Sequence, residues 1–244
     1  MDGQKITDAF AGRKLPLAAG LMMRFGAHIR QMKACLQAGD IGPLVSAYAR
    51  FSCWYPDIPG AWRQRPETGG GGALMDMGVH LIDLIAWMAG SPVKQVAAMS
   101  DTQTFSYPVE DAASVLLRLE NGALCALQSH FNIPDEGADW RLDLFGTRGS
   151  LLGPGILGQV DGGRLEMLSL AETGGYDSRQ DSKRPVFAQL AADYGDLYAR
   201  EIDSFCASIL KGLPLEAPAQ AALDAQRVVE AAYQSQKSGG FVTV

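Results

Sequence analysis

The chain has 244 residues, of which 47% are hydrophobic, and carries a net charge of −6. This composition supports a sizeable core and argues against a disordered chain. Without a block of basic residues, it does not favour a nucleic-acid partner. No apolar run approaches the roughly 20 residues of a membrane span, and the N-terminus lacks the apolar segment of a signal peptide. We therefore expect a cytoplasmic protein without nucleic-acid or membrane partners, whose four cysteines are buried, reduced thiols.

The first third of the chain predicts helices, strands and one long loop. A short helix is expected over 4–13, and "KLPLAAGLMMRF" (14–25) is typical of a buried strand followed by a loop. Residues 27–38 predict a helix that ends at Gly39, because glycine is favoured just after a helix. Residues 43–52 alternate as a half-buried strand does. The loop over 53–72 is long, and long loops in compact domains are often functional.

After a helix over 74–89 the pattern changes to strands. "PVKQVAAMS", "DAASVLLRLE" and "ALCALQSHFN" are three of them, and Asn121-Gly122 predicts a hairpin between the last two. "WRLDLFGTRGSLLG" and "QVDGGRLEMLSL" continue the pattern, and an exposed loop is expected over 174–187. Helices over 193–211 and 217–237 and a short strand, "GFVTV", close the chain. Together, these predicted helices and strands indicate an α+β fold, with a large mixed and mostly antiparallel sheet and helices on one face.

The helix over 74–89 carries three polar residues in an apolar setting. Asp76 and His80 are four residues apart and share a face, which Asp83 continues. The rest of the helix is apolar nearly all round, which is typical of a buried helix. Burying unpartnered polar groups costs several kcal/mol, on the order of 2–7. The three side chains are therefore expected to face partners, a cleft or an ion.

Three interpretations of this stripe follow from the residues alone. Asp76 could stabilise the start of the helix while His80 is a satisfied core histidine. The stripe could bind a metal, with His28 or His130 as a fourth ligand. It could also perform acid–base chemistry, because an imidazole oriented by a carboxylate accepts protons near neutral pH.

Several segments resemble the Gfo/Idh/MocA oxidoreductases, the family of glucose–fructose oxidoreductase and inositol dehydrogenase. "GGGALMDMGVHLIDLIAWMAG" resembles the family's site helix, and "MMRFGAHIRQMKACLQAGDIGPLVSAYARF" is similar to the segment entering its second domain. "VEDAASVLLRLENGALCALQSHF", "LDLFGTRGSLLG" and the closing segment from "YAREIDSF" to "QSQKSGG" resemble its sheet strands and last helices. The resemblance covers about residues 15–244. It implies the large sheet of a glyceraldehyde-3-phosphate-dehydrogenase-like C-terminal domain.

The resemblance also implies a reaction, in which NAD or NADP exchanges hydride with a carbon bearing a hydroxyl, often on a sugar, cyclitol or related polyol. His80 matches the histidine that handles the hydroxyl proton, and Asp76 matches the carboxylate that assists it. It raises the acid–base interpretation of the stripe above the other two.

The substrate-binding residues that the resemblance implies lie on three segments. Asp83 matches a position that contacts substrate hydroxyls. Arg24 lies where the chain enters the site, so it contacts the ligand or forms an ion pair at the surface or between domains. On the long loop, Trp62, with Trp54 and Tyr55, either walls a sugar site or anchors the loop.

One departure from the family is large. The G-x-G-x-x-G turn of a Rossmann domain and the family's E-K-P segment do not occur in this sequence. Residues 1–22 resemble the last helix and strand of a nucleotide-binding domain, and 23–244 a substrate-binding and oligomerisation domain. We therefore expect this chain alone to bind NAD or NADP weakly or not at all and to be inactive. The alternatives are a non-redox sugar-binding or assembly module and, more weakly, a metal-dependent lyase or isomerase.

The strands also predict how copies associate. In "ASVLLRLE" and "ALCALQSHF", both alternating sets of residues include apolar side chains. A sheet that is apolar on both faces needs cover on both. The resembling family commonly associates through this sheet, so we expect a homodimer or a tetramer whose interface buries at least about 1,600 Å².

Overall fold

The computed structural model describes residues 2–172, 174, 176, 178 and 186–244. Within them the chain forms one nine-stranded sheet of order β8-β7-β6-β5-β1-β4-β3-β2-β9. The strands are β1 Leu44–Ser52, β2 Val93–Asp101, β3 Ala112–Leu119, β4 Leu124–His130, β5 Arg141–Gly146, β6 Gly149–Gly153, β7 Leu165–Ser169, β8 Ala188–Leu190 and β9 Val242–Thr243.

The sheet is mixed because β1 pairs in parallel with β4, while its neighbouring strands otherwise run antiparallel. The predicted hairpin joins β3 to β4, and Gly122 takes the positive φ of 91° that the turn requires. The predicted α+β class with a mostly antiparallel sheet is confirmed.

Six α-helices are found in the described part of the chain. They are α1 Asp2–Gly12, α2 Ala27–Ala38, α3 Pro66–Gly69, α4 Val79–Ala89, α5 Leu197–Lys211 and α6 Ala219–Ser238. α2 ends as predicted, with Gly39 left-handed at φ 77° and its N–H bonded to the last turn. Asp196 caps the N-terminus of α5, since its carboxylate accepts the N–H groups of Tyr198 and Ala199.

The main core lies between one face of the sheet and helices α2, α4 and α6. Alternate residues of the central strands point into it, as Val115, Leu117, Cys125 and Leu127 do with at most 3% exposure. The helices cover this one face, as predicted. The opposite face remains exposed in the single chain, where Met99, Leu116 and Leu124 are each more than half exposed.

The central helix of the core belongs to a longer apolar helical stretch than the sequence pattern indicated. The helical stretch Pro66–Ala89 is long and apolar enough to cross a membrane by length and composition. In the fold, however, 61% of its most apolar window is buried. Leu81 and Ile85 have no exposed surface. The stretch therefore packs as the central helix of the core.

Several local predictions need correction. The strand predicted within 14–25 is wrong, because Ala18 makes only an isolated bridge to Pro218 and Met22–Phe25 form a 3-10 helix. Strand β8 was not predicted. The loop expected over 174–187 lies largely outside the described residues. Cys206 is exposed, so the expectation of four buried thiols is also wrong.

The division of the chain at residue 22 stays a prediction. α1 buries none of its residues, and it lies against α6, where Arg227 donates a hydrogen bond of 2.9 Å to the Gln4 side chain. The backbone N–H of Ala19 donates to the carbonyl oxygen of Ala217 at 3.0 Å. The first residues are thus joined to the closing helix by a few polar contacts.

Candidate functional site

A run of four glycines, residues 69–72, precedes the site helix, and two other segments of the chain approach the backbone of this run closely. A Cβ carbon at Gly72 would overlap the carbonyl oxygen of Glu110 and lie 2.9 Å from its carbonyl carbon. A Cβ carbon at Gly71 would overlap the hydroxyl oxygen of Tyr233, on α6. Only glycine allows both approaches, so this run sets how near the site helix comes to its supports.

The Glu110 carboxylate binds the start of this helical segment. It accepts the N–H of Gly72 at 3.0 Å, the N–H of Leu74 at 3.0 Å and the hydroxyl of Tyr233 at 2.8 Å. Burial, followed by the neighbouring Glu110 charge, raises the pKa of Tyr233 and keeps it a neutral donor. Because the segment has no side-chain cap of its own, Glu110 supplies the acceptor and the negative charge that a helix N-terminus favours.

The first turn of the site helix, Leu74–Gly78, is a π-helix. The N–H of Val79 bonds to the carbonyl oxygen of Leu74, five residues back. Single π turns inside α-helices occur often at functional sites. Asp76 lies in this turn and His80 in the α-helix that follows, so the two predicted catalytic residues belong to helical turns of different pitch.

Asp76 is bound by an arginine that sequence reasoning missed. The Nε of Arg63 donates to Oδ1 of Asp76 at 2.7 Å, and both side chains are partly exposed. The hydrogen bond to Asp76 raises the pKa of Arg63. The guanidinium carbon of Arg63 lies 4.5 Å from the ring centroid of Trp62. The only sequence signal for Arg63 was its place on a long loop already expected to be functional.

His80 is partly buried, and its ring makes no hydrogen bond within the described residues. Burial lowers the pKa of His80, and the charges of Asp76 and Asp83 oppose that effect. The hydrogen bond of Asp76 goes to Arg63, and the approach of the Asp76 and His80 side chains to each other stays a prediction. A neutral imidazole at neutral pH is a proton acceptor.

Asp83 and Arg24 form a buried ion pair, each with 4% of its surface exposed. Arg24 donates from Nε and Nη2 to the two oxygens of Asp83, with an Nε–Oδ2 distance of 2.8 Å, and from Nη1 to the carbonyl oxygen of Glu216 at 2.6 Å. The Trp87 ring centroid lies 5.2 Å from the guanidinium carbon. The two side chains are engaged with each other, so the substrate contact expected of each stays a prediction.

The aromatic residues of the long loop have both exposed and anchored members. Trp62 is 51% and Trp54 45% exposed, although Trp54 also packs edge-on to Phe105 at 5.1 Å. Tyr55 packs on Phe131 at a centroid distance of 5.0 Å. The two indoles are therefore free to meet a ligand, whereas Tyr55 mainly anchors the loop.

Phe105, the ring that packs against Trp54, lies in a segment whose backbone is bound by a buried carboxylate. Asp111 has no exposed surface, and it accepts the backbone N–H groups of Gln103, Thr104 and Phe105 at 2.8–3.0 Å. The Asn132 amide donates to it as well, at 3.1 Å. Glu110 thus binds the start of the site helix, and Asp111, the next residue, binds the segment 103–105.

No group of three or more His, Cys, Asp and Glu residues is placed to hold a metal ion in the part of the chain that the structure describes. The two carboxylates of the predicted stripe each bind an arginine. His28 instead lies beside Tyr194, with Nε2 2.9 Å from its hydroxyl oxygen, and His130 ends β4 on the exposed face of the sheet. The structure does not bring these histidines to the stripe.

Residues 29–152, about half of the chain, match the GFO/IDH/MocA C-terminal domain. This match includes the site helix, the loop that carries Arg63 and the central strands of the sheet. The chain belongs to the GFO/IDH/MocA family, an oxidoreductase family, as the resemblance of its motifs implied.

Individual relatives are distant but extend over almost the whole chain. It is 27% identical over 232 residues to an uncharacterized oxidoreductase, YrbE, of Bacillus subtilis. The aligned region covers 93% of this chain and 63% of that relative. It is 24% identical over 229 residues to a D-xylose 1-dehydrogenase (NADP(+)) of Haloferax volcanii, covering 93% and 64%. The chain spans a little under two thirds of these relatives' length.

The fold is also that of solved oxidoreductase structures. The aldose-aldose oxidoreductase from Caulobacter crescentus, solved with glycerol, superposes with a TM-score of 0.85 at 22% identity. The alignment covers 100% of this chain and 68% of that one. At this identity the likeness establishes the shared fold.

Proposed function

We propose that this chain is the substrate-binding and oligomerisation domain of an NAD(P)-dependent oxidoreductase that acts on a CH–OH group of a sugar, cyclitol or related polyol. The observation that carries the proposal is His80. Its imidazole is partly exposed, makes no hydrogen bond within the described residues, and has a pKa lowered by burial. It stands one helical turn after a carboxylate held by Arg63, in a segment whose start is fixed by Glu110.

His80 would accept the hydroxyl proton as the alcohol becomes a carbonyl. The loss of one proton and one hydride from the CH–OH group balances that oxidation, and a nicotinamide bound by the complete enzyme supplies the hydride acceptor. A neutral imidazole suits this step, because a general base must be unprotonated to accept the proton. In the reverse direction the imidazolium returns the proton to the alcohol oxygen.

Asp76 and the exposed indoles would orient the substrate. Asp76 is partly exposed and retains acceptor capacity beyond its bond to Arg63. Trp62, next to the Arg63 guanidinium, offers a flat apolar surface, Trp54 on the same loop offers a second exposed indole, and a sugar presents both hydroxyl groups and apolar C–H faces. The name of the D-xylose dehydrogenase relative supports a sugar substrate.

The same indoles and polar pair also fit the second candidate, a sugar-binding module without redox activity. The two functions differ in their need for His80 as a base. We propose that NAD or NADP serves the complete enzyme and that this chain alone binds either one weakly. A micromolar or tighter dissociation constant measured by calorimetry on the chain would contradict the cofactor part of the proposal.

The test joins the chain to a dinucleotide-binding domain of the G-x-G-x-x-G class and follows nicotinamide reduction with a panel of sugars and polyols. His80→Ala should lower the turnover by about 100-fold, the usual contribution of a general base. His130→Ala is the matched control for the loss of an imidazole, because His130 lies on the face of the sheet away from the site helix. It should leave turnover unchanged when light scattering shows the same oligomeric state as the wild type. Sugar binding without reduction, unaffected by His80→Ala, would favour the binding module.

We also propose that the exposed sheet face joins two copies of the chain into a homodimer, or a tetramer that contains it. Met99, Leu116 and Leu124 project from adjacent strands β2, β3 and β4 and are 77%, 56% and 53% exposed. A patch of large apolar side chains across three strands is typical of an interaction surface. Since a two-fold interface is self-complementary, the same strands would meet in both copies.

A further inference from the structure

We infer that Arg63 is a positioning residue of the site, which holds the Asp76 carboxylate and compensates its charge, as Arg24 does for Asp83, so that His80 stays neutral and able to accept a proton. The inference rests on the proposed role of His80 as the base. It concerns a loop arginine outside the Asp-x₃-His pattern of the site helix.

The contact between Arg63 and Asp76 is specific in its geometry. The guanidinium Nε donates to Oδ1 at 2.7 Å, the short distance of a charge-assisted hydrogen bond. The Arg63 guanidinium also lies over the Trp62 ring, with its carbon 4.5 Å from the ring centroid. Asp76 thus binds a partly exposed arginine that itself contacts the Trp62 ring.

Arg24 and Asp83 repeat this arrangement on the other side of His80 along the helix. Two donors of one guanidinium meet the two oxygens of one carboxylate, a bidentate pair that is almost fully buried. Each of the two acidic residues nearest to His80 in the helical stripe therefore has an arginine of its own. Neither arginine comes from the site helix.

The consequence for His80 follows from the balance of two effects. A nearby carboxylate stabilises the imidazolium, whereas burial destabilises it. Asp76 and Asp83 do raise the pKa of His80, but burial has the larger effect and the pKa is lowered. A guanidinium on each carboxylate opposes the field of that acid at His80, in the same direction as burial.

The other charged groups near the site helix do not replace this compensation. From α2, Lys33 lies over the Trp87 ring at 3.5 Å. Before β3, Glu110 is bound to the backbone and to the neutral Tyr233 of α6. Burial raises the pKa of Cys53, beside Asp76, to about 12, so its thiol is uncharged.

The strands packed under the helix contribute no charge on that side. Arg50, Arg118 and His130 pair in register with residues of the exposed set, which places them on the outer face of β1, β3 and β4. The inner face there consists of Ala49, Val115 and Leu127 and their apolar or hydroxyl neighbours.

The experiment is an NMR titration of the His80 ring in the chain itself, with the resonance assigned by its loss in His80→Gln. In Arg63→Gln the proton affinity of His80 should rise by about threefold or more, because an uncompensated Asp76 favours the imidazolium. Arg63→Lys retains the charge and should restore the wild-type titration. Arg65→Gln, which removes an equal charge from an exposed position two residues away, should have a clearly smaller effect.

A double-mutant cycle shows whether Arg63 acts through Asp76. In an Asp76→Asn background, Arg63→Gln should no longer raise the proton affinity of His80. The inference is overturned if Arg63→Gln leaves the titration unchanged, acts no more strongly than Arg65→Gln, or acts equally without the Asp76 carboxylate. These measurements need no turnover, so failure of the proposed redox function and failure of this inference are distinguishable.

Discussion

Replacing Gly72 by alanine tests whether the glycine run is required by close packing. Gly72 is buried, and a Cβ there would overlap the carbonyl oxygen of Glu110 and lie 3.0 Å from its backbone nitrogen. These are backbone atoms, so the clash cannot be relieved by rotating a side chain. That same carbonyl oxygen accepts the N–H of Ala73 at 2.9 Å, and the Glu110 carboxylate binds the N–H groups of Gly72 and Leu74.

The expected magnitude follows from these contacts. Overpacking a well-packed site typically costs about 1–3 kcal/mol, and a hydrogen bond to a charged group contributes about 1.5–3 kcal/mol. Loss of about 3 kcal/mol is therefore expected, since the backbone must move or the cap of the site helix must loosen. For a domain of this size that corresponds to a decrease in Tm of roughly 6–12 °C.

The assay is thermal and urea unfolding followed by circular dichroism, and Gly20→Ala is the matched control. Gly20 has an ordinary φ, and no atom lies within 4 Å of the point where the alanine methyl group would be. Its replacement should change the free energy of unfolding by no more than about 1 kcal/mol, in the stabilising direction. Equal stability of Gly72→Ala and Gly20→Ala would refute the packing explanation of the glycine run.

Three further predictions concern other parts of the molecule. Burial raises the pKa of Glu201 above its ordinary 4.5, so the folded state binds the carboxyl proton more tightly than the unfolded state does. The stability that this proton contributes is lost as the pH rises through the folded pKa. Glu201→Gln should therefore raise Tm at pH 7, and thermal scans should show that the gain disappears below about pH 4. Asp111→Ala should lower the free energy of unfolding in urea by about 3 kcal/mol or more, because three backbone N–H groups lose their acceptor, and a loss under 1 kcal/mol would mean that water replaces it. Leu116→Glu should convert the expected dimer to a monomer in light scattering at micromolar concentration, whereas an unchanged dimer mass would place the interface elsewhere.

The elements with a strong local pattern were predictable from the sequence. The helix over 27–38 was predicted from its apolar spacing and its terminal glycine, and the structure has it at Ala27–Ala38. The β3–β4 hairpin followed from alternation and from Asn121-Gly122, since few other residues take the conformation that its turn needs. The sequence also indicated the stripe of Asp76, His80 and Asp83, because polar residues in an apolar helix are conspicuous.

What these residues contact was decided by the tertiary structure. Arg63 lies 13 positions before Asp76 and Arg24 lies 59 before Asp83, so no local pattern connects the partners. Glu110 reaches the glycine run only because β3 begins beside it. The π turn at Leu74–Gly78 likewise leaves no mark in the spacing of apolar residues. Local propensity depends on neighbours in sequence, whereas the charge balance around His80 depends on side chains that only the folded sheet and helices bring together.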